Sequence, residues 1–279
     1  MLLFMMLLAS VTTFHVAGHW YLPLAVAWAT AFVWFGGVVG LTQAQMGLTN
    51  PIPGLLWGGA CIAIVSLGMI AGVAVPRLHP LFADERTSGA TGAEVAHKSL
   101  IELPFGTVML EEIVFRSVVL GVLTVRFGTV AGVVGSSLLF GFWHILPALE
   151  MHGSHSLTSQ LGAGLRAKAM TVVGTILATG AAGVGFAMLV VWSGSVLAPM
   201  GLHWATNSTG SIAAWFVARR LRRANSALAD DTAADDAGAD EAGTDDAGAD
   251  DAGADASVEG TRTADERPAP GAGGDSPAD

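Results

Sequence analysis

Three short motifs sit inside apolar stretches where ionisable side chains are costly. EEIVFR runs from Glu111 to Arg116, FGFWH from Phe140 to His144 and HWATN from His203 to Asn207. A carboxylate beside a neutral imidazole can hold a water and take its proton, which makes the water a nucleophile. A second imidazole, with a carboxamide one helical turn away on the same face, supplies donors for a tetrahedral oxyanion. Glu111, His144, His203 and Asn207 are therefore the parts of a hydrolase acting on an amide. Glu111, His144 and His203 also make a plausible zinc set with metal-bound water as nucleophile. Residue types alone leave both versions open.

The stretch from Leu100 to Leu123 reads LIELPFGTVMLEEIVFRSVVLGVL and carries Glu111, Glu112 and Arg116 near its middle. Each mid-span charge costs roughly 2.5 to 3.5 kcal/mol, so three without partners approach about 9. Glu112 and Arg116 are four apart and can pair along one helix. Glu111 points about 100° away on a regular helix and must find its partner elsewhere. Intramembrane ionisable groups face a bundle interior or a wet cavity, so the economical arrangement is one cavity lined by Glu111, His144, His203 and Asn207. His15, His19, His79, His97, His152 and His155 read instead as helix-to-helix hydrogen bonders or loop residues. Asn207 opens an NST glycosylation pattern, but its place within a span argues against modification.

The elements that must carry these groups are membrane helices. Of 279 residues, 52% are hydrophobic and 13% charged, about half the charge of an average soluble domain, and the mean hydropathy is +0.56. No Asp, Glu, Lys or Arg occurs from Met1 to Pro76, whereas 16 of the 23 acidic residues follow residue 224. This distribution excludes an ordinary soluble enzyme, and nothing in it suggests a nucleic-acid partner. The lone Cys61 excludes an intrachain disulfide and a thiolate zinc cluster.

A spanning helix needs roughly 20 mostly apolar residues. Runs near 2 to 18, 21 to 41, 54 to 75, 100 to 123, 128 to 149, 169 to 192 and 196 to 218 meet that need. The expected fold is all-α: a polytopic membrane bundle of about seven transmembrane helices, six to eight, with a disordered acidic tail. Residues 1–99 hold the N-terminal spans and a cytoplasmic loop, 100–224 the core with the motifs, and 225–279 an Asp/Ala/Gly-rich tail. The first run lacks the basic start and small-residue cleavage site of a signal peptide and reads as a span or signal anchor. The tail has almost no large apolar side chain and dense negative charge, which predicts disorder. Gly36 to Gly40 and Gly128 to Gly132 are small-residue spacings suited to close helix packing.

The three motifs together, in this order on three hydrophobic segments, resemble the CPBP family of intramembrane proteases. That family includes the CAAX prenyl endopeptidases of the Ras-converting type and bacteriocin-processing and immunity proteins. Its pattern of EExxxR, FxxxH and HxxxN occurs here without a mismatch, over about residues 100 to 215. The resemblance implies that Glu111 is the general base on a water also held by His144. It implies too that His203 and Asn207 form the oxyanion site, and that Glu112 and Arg116 orient the base or substrate. The family has been described both as metalloprotease and as metal-independent glutamate protease. The metal-free version is favoured here, since no further strong ligand beyond Glu111, His144 and His203 is obvious.

The expected function is an intramembrane endopeptidase whose partners are the lipid bilayer and a membrane-associated protein or peptide. Its alternatives are a non-catalytic scaffold or bacteriocin-immunity-type binder, and a proton-coupled transporter, for which the internal symmetry of paired broken spans is lacking. Neither HExxH nor a rhomboid-like GxSG occurs, and Ser195 reads as a turn residue. Arg77, Arg86, Lys98, Arg166, Lys168 and the basic cluster from Arg219 to Arg223 fall on one side of seven alternating spans. The positive-inside rule puts that side, with the C-terminus, in the cytoplasm. A reporter enzyme that works only in the cytoplasm, fused after Arg223, is expected to be active; activity only of an exported reporter there would reverse the orientation.

Overall fold

A computed structural model describes residues 1–15, 20–82, 89–151 and 164–242. The described residues are helical throughout, with no strand among them. Three apolar helices come first: α1 (Leu2–His15), α2 (Tyr21–Val38) and α3 (Pro51–Ala74). After two short turns, Pro76–Leu78 and His79–Phe82, a winding segment begins at Gly92 and ends at Phe127. Then follow α4 (Thr129–Trp143), α5 (Ile145–Met151), α6 (Leu165–Ser193) and α7 (Leu197–Ala242).

Local sequence explains the ends. Proline at the first position opens α3, where its missing N–H is no loss. Thr91 caps the winding segment through a capping box with Glu94. The Thr91 backbone N–H and hydroxyl hold the Glu94 carboxyl below its usual range. Gly128 and Gly194 have positive φ, 85° and 66°, so the chain can reverse after the winding segment and after α6. The reversal at Gly194 leads into Ser195, whose hydroxyl accepts from the Leu197 backbone N–H at 3.3 Å, in keeping with its reading as a turn residue.

α2, α3, Thr129–Leu149 and α6 are long and apolar enough to cross a membrane. Their outward faces are apolar too: Ile52, Leu56, Ile64, Leu67 and Ile70 of α3 are all exposed. Together these features make the chain an integral membrane protein. All seven expected runs are helical, but only four meet length and hydropathy together. α1 is short, the winding segment carries its charges in mid-run, and α7 begins with a stretch rich in Gly, Ser, Thr and Asn.

Two compact units follow from the contacts, Met1–Leu228 and Ala229–Asp279. α7 continues through the first eighteen residues of the tail expected to be disordered, ending at Ala242. Alanine, the best helix former, recurs there and explains the continuation. The remainder of the tail, with Arg86, His19, His152 and His155, lies outside the described residues. Of the other spare histidines, His79 Nε2 bonds the Val73 carbonyl at 3.0 Å and His97 pairs with Glu102 at 3.3 Å.

Small residues set the helix contacts that bring the motifs together. Gly36 and Gly132 pack against neighbours, whereas Gly40 and Gly128 of the expected pairs are turn positions with positive φ. The closest approach to another backbone, not singled out in the sequence, is between α3 and α7: a Cβ on Gly201 would lie 2.6 Å from Gly58 Cα. One on Gly58 would lie 2.9 Å from the Leu197 carbonyl oxygen, while Gly59 faces open space. Gly58→Val is expected to destabilise the detergent-solubilised protein by about 1–3 kcal/mol, and Gly59→Val to leave the melting temperature nearly unchanged. Equal melting temperatures for the two variants would contradict the contact.

Candidate active site

The winding segment that carries EEIVFR is not a regular α-helix. Its middle four residues, Met109–Glu112, are α-helical, but π-helical stretches flank them on both sides, Lys98–Val108 and Ile113–Val119. Pro104 lies in the first of these. Wide i→i+5 turns of this kind recur at functional sites. Glu111 and Glu112 sit together in the one regular turn, both buried.

Glu112 is the hub. It is fully buried, and its Oε2 lies 3.3 Å from Arg116 Nε, the pairing expected from their spacing. Its Oε1 lies 2.8 Å from His203 Nδ1. A carboxylate only accepts, so this contact places the Nδ1 proton on His203 and turns Nε2 toward Glu111. Arg116 is 1% exposed. Its guanidinium lies 4.0 Å from the Phe140 ring centroid and 4.9 Å from that of Phe186. Desolvated cation–π contacts of this type contribute about 2 kcal/mol each. The Phe186 ring in turn stacks on His203 at 5.1 Å with 20° between planes.

Glu111 occupies the adjacent position. Trp143 Nε1 donates to its Oε1 at 3.1 Å, and its Oε2 lies 3.7 Å from His203 Nε2 and 3.9 Å from His144 Nε2. His144 is held by its other nitrogen, which is 2.8 Å from the Phe140 carbonyl. That carbonyl only accepts, so His144 Nδ1 carries the proton and Nε2 presents a lone pair to the site. Phe140 therefore serves twice, its carbonyl aiming His144 and its ring covering Arg116.

Five of the six expected residues, Glu111, Glu112, Arg116, His144 and His203, meet in one cluster from three helices. Asn207 is half-buried one turn after His203 and hydrogen-bonds none of the other five. α7 is moored by Trp204 Nε1 and the Ser208 hydroxyl, which both donate to the Ser99 carbonyl at 2.7 and 3.0 Å. Sequence reasoning passed over Trp143, Trp204 and Phe186. The tryptophans stand beside the motif histidines, where an indole N–H in an apolar run signals a need for an acceptor. Phe186 carries no such signal, because an aromatic residue in an apolar helix looks like any packing residue.

Residues 99–209 match the family model described as type II CAAX prenyl endopeptidase Rce1-like. The match assigns this segment to the CPBP/CAAX-protease family. No curated protein and no solved structure matches the chain. In this CPBP segment all three motifs fall inside the matched range, and α1 to α3 lie before it.

Glu111, His144 and His203 are the side chains that would hold a zinc ion at this site. Ligands 2.0–2.1 Å from a tetrahedral ion stand about 3.4 Å apart, closer than the 3.7 and 3.9 Å that separate Glu111 Oε2 from the two imidazoles. Among the described residues no group of three or more His, Cys, Asp or Glu is placed to hold a metal ion.

Removing one partner of a buried ion pair strands the other, at about 3–5 kcal/mol. Glu112→Ala is expected to lower detergent-state stability by that amount. Phe186→Leu is expected to cost less, about 1–2 kcal/mol, by uncovering one face of the guanidinium. A Glu112→Ala protein as stable as wild type in thermal or denaturant unfolding would remove the hub.

Proposed function

We propose that the protein is an intramembrane endopeptidase in which Glu111 activates a water for attack on a peptide bond. The observation that carries this reading is the position of Glu111 Oε2. It is buried and faces two imidazole nitrogens at 3.7 and 3.9 Å, too far for direct hydrogen bonds. A water oxygen can bridge Glu111 Oε2 to an imidazole nitrogen across either gap.

The steps follow from the donors and acceptors. The water lies between Glu111 Oε2 and His144 Nε2, gives its proton to Glu111 and attacks the scissile carbonyl carbon. His203 and Asn207, one turn apart on α7, face the oxyanion. The tetrahedral intermediate then collapses, and the proton held by Glu111 passes to the leaving amine. The contact of His203 Nδ1 with Glu112 at 2.8 Å fixes the ring and turns Nε2 toward the reacting atoms, which supports the part given to His203. The tertiary contacts of Glu112 and Arg116 support a positioning role for both.

The substrate is a membrane-associated protein or peptide. The matching family is described by its CAAX prenyl endopeptidase activity, which makes a prenylated CAAX peptide the first substrate to test. An apolar groove of about 460 Å³ supports a substrate with an aliphatic anchor. Leu55, Ile62, Phe105, Met109, Met200 and Trp204 line it, the last two belonging to the helix of His203. The C-terminus is assigned to the cytoplasm on the distribution of basic residues.

Detergent-purified protein is expected to cleave a farnesylated CAAX peptide with an internal fluorescent quencher pair. Glu111→Gln and His144→Ala should each lower kcat by about 10²-fold or more, and a zinc chelator should leave the rate unchanged. Full activity in Glu111→Gln would remove the water-activation mechanism, chelator-sensitive cleavage would move the three residues into a metal site, and cleavage of neither prenylated nor plain membrane peptides would point to the scaffold.

A further inference from the structure

Glu111 also borders a space that the motifs do not account for. A half-enclosed cavity of about 190 Å³ is lined by Glu111 and Trp143 together with four hydroxyl-bearing residues: Ser10 and Thr13 of α1, Tyr21 of α2 and Thr107 of the winding segment. Three of these four hydroxyls come from helices before the family-matched range of 99–209.

Tyr21 is the sole tyrosine of the chain. Its hydroxyl lies 2.8 Å from Thr107 Oγ1. Its ring lies against Gly106, where a Cβ would collide with it. Glycine at 106 thus admits the ring, and Thr107 at the next position meets its hydroxyl. α1 is held in register from the same side, since Trp28 Nε1 of α2 donates to Thr12 Oγ1 at 2.9 Å. Thr13 Oγ1 donates back to the Ala9 carbonyl at 2.6 Å, and a hydroxyl oxygen that donates one hydrogen bond still has lone pairs with which to accept from a water.

Hydrolysis inside a membrane consumes one water per bond cut, and hydrocarbon cannot supply it. We propose that the cavity walled by Ser10, Thr13, Tyr21 and Thr107 holds and delivers the water used at Glu111, with Tyr21 and Thr107 as positioning residues. Its volume has room for more than one water. Its lining is mainly apolar, so the waters it retains are those that find two or more partners among the Glu111 carboxylate and the hydroxyl oxygens. Water entering along these hydroxyls arrives at the Glu111 carboxylate between Trp143 and Leu110, both of which line the cavity. The N-terminal helices then contribute to turnover and do more than anchor the chain. The inference rests on the reading of Glu111 as base for its kinetic consequence, but not for its physical content.

Two measurements on the full-length protein separate the possibilities. The first is X-ray hydroxyl-radical footprinting in detergent, read by mass spectrometry, which oxidises side chains in contact with water. Tyr21 is expected to be oxidised well above the rate of the fully buried Phe115, and Ser10→Leu, which fills the cavity, to bring Tyr21 down to the Phe115 rate. Oxidation of Tyr21 no faster than Phe115 would mean a dry cavity and would overturn the proposal whether or not the protein is a protease. The second is kinetic, with the farnesylated peptide as probe. Tyr21→Phe and Thr107→Val are each expected to lower kcat about tenfold with KM within about twofold, the loss of one well-placed hydrogen bond. The double variant should lose little more than either single one, because the two hydroxyls act as a pair. Wild-type cleavage abolished by Glu111→Gln but untouched by Tyr21→Phe and Thr107→Val would sink the positioning roles and leave the proposed function standing. A wet Tyr21 in a protein that cleaves nothing would do the reverse.

Discussion

The cost of burying charge away from water is the constraint to which the rest of the structure answers. Glu111, Glu112 and Arg116 lie in the middle of an otherwise apolar run, and all three are buried. Their cost is offset only if each meets a partner, and partners must come from other helices. Glu112 takes Arg116 along its own helix and His203 across the bundle. Arg116 lies under the Phe140 and Phe186 rings. Glu111 takes the Trp143 indole. α4, α6 and α7 each bring at least one of those partners to the winding segment, so the charge cluster selects the packing as much as the packing shelters the cluster.

Close helix contact makes this possible. Ridges of large side chains would hold α3 and α7 apart, and Gly58 against Gly201 lets their backbones meet. Gly183 of α6 likewise rests on Ser137 of α4, bringing Phe186 toward the cluster three residues on. Around the site the packing is aromatic: Phe115, Phe140, Trp143 and Phe186 contact one another or the imidazoles edge-on and stacked. Planar rings of this kind exclude water from Arg116 while presenting their negative faces to it.

The π-helical stretches on either side of Met109–Glu112 show where a regular helical reading gives out. Periodicity of 3.6 residues relates Glu111 to Glu112 correctly, because they share the one regular turn. It does not describe the winding of 98–108 or 113–119; within the first of these stretches Tyr21, Trp204 and Ser208 grip Gly106, Thr107 and Ser99. The expected seven runs are all helical for the same reason that their hydropathy stood out. The length of α7 was not foreseen, since the abrupt turn to Ala, Gly and Asp reads as disorder by charge, while alanine carries the helix on to Ala242.

What the amino-acid order determined by itself was the class of molecule and the chemical cast: an apolar helical chain in which mid-run Glu, Arg, His and Asn demand partners. Hydropathy and charge are local properties, and the penalty for a charge in hydrocarbon is the same whatever the neighbours are. The pairing of Glu112 with Arg116 was legible too, because four residues on one helix are always adjacent. Which histidine faces which carboxylate, and through which nitrogen, was decided only in three dimensions, where His203 divides its two nitrogens between Glu112 and Glu111. The roles of Phe186, Trp143 and Tyr21 were decided there as well. Their residue types are common in any membrane helix, and it is proximity across 70 or more residues of chain, from Phe186 to Arg116 or Tyr21 to Thr107, that makes them part of a site.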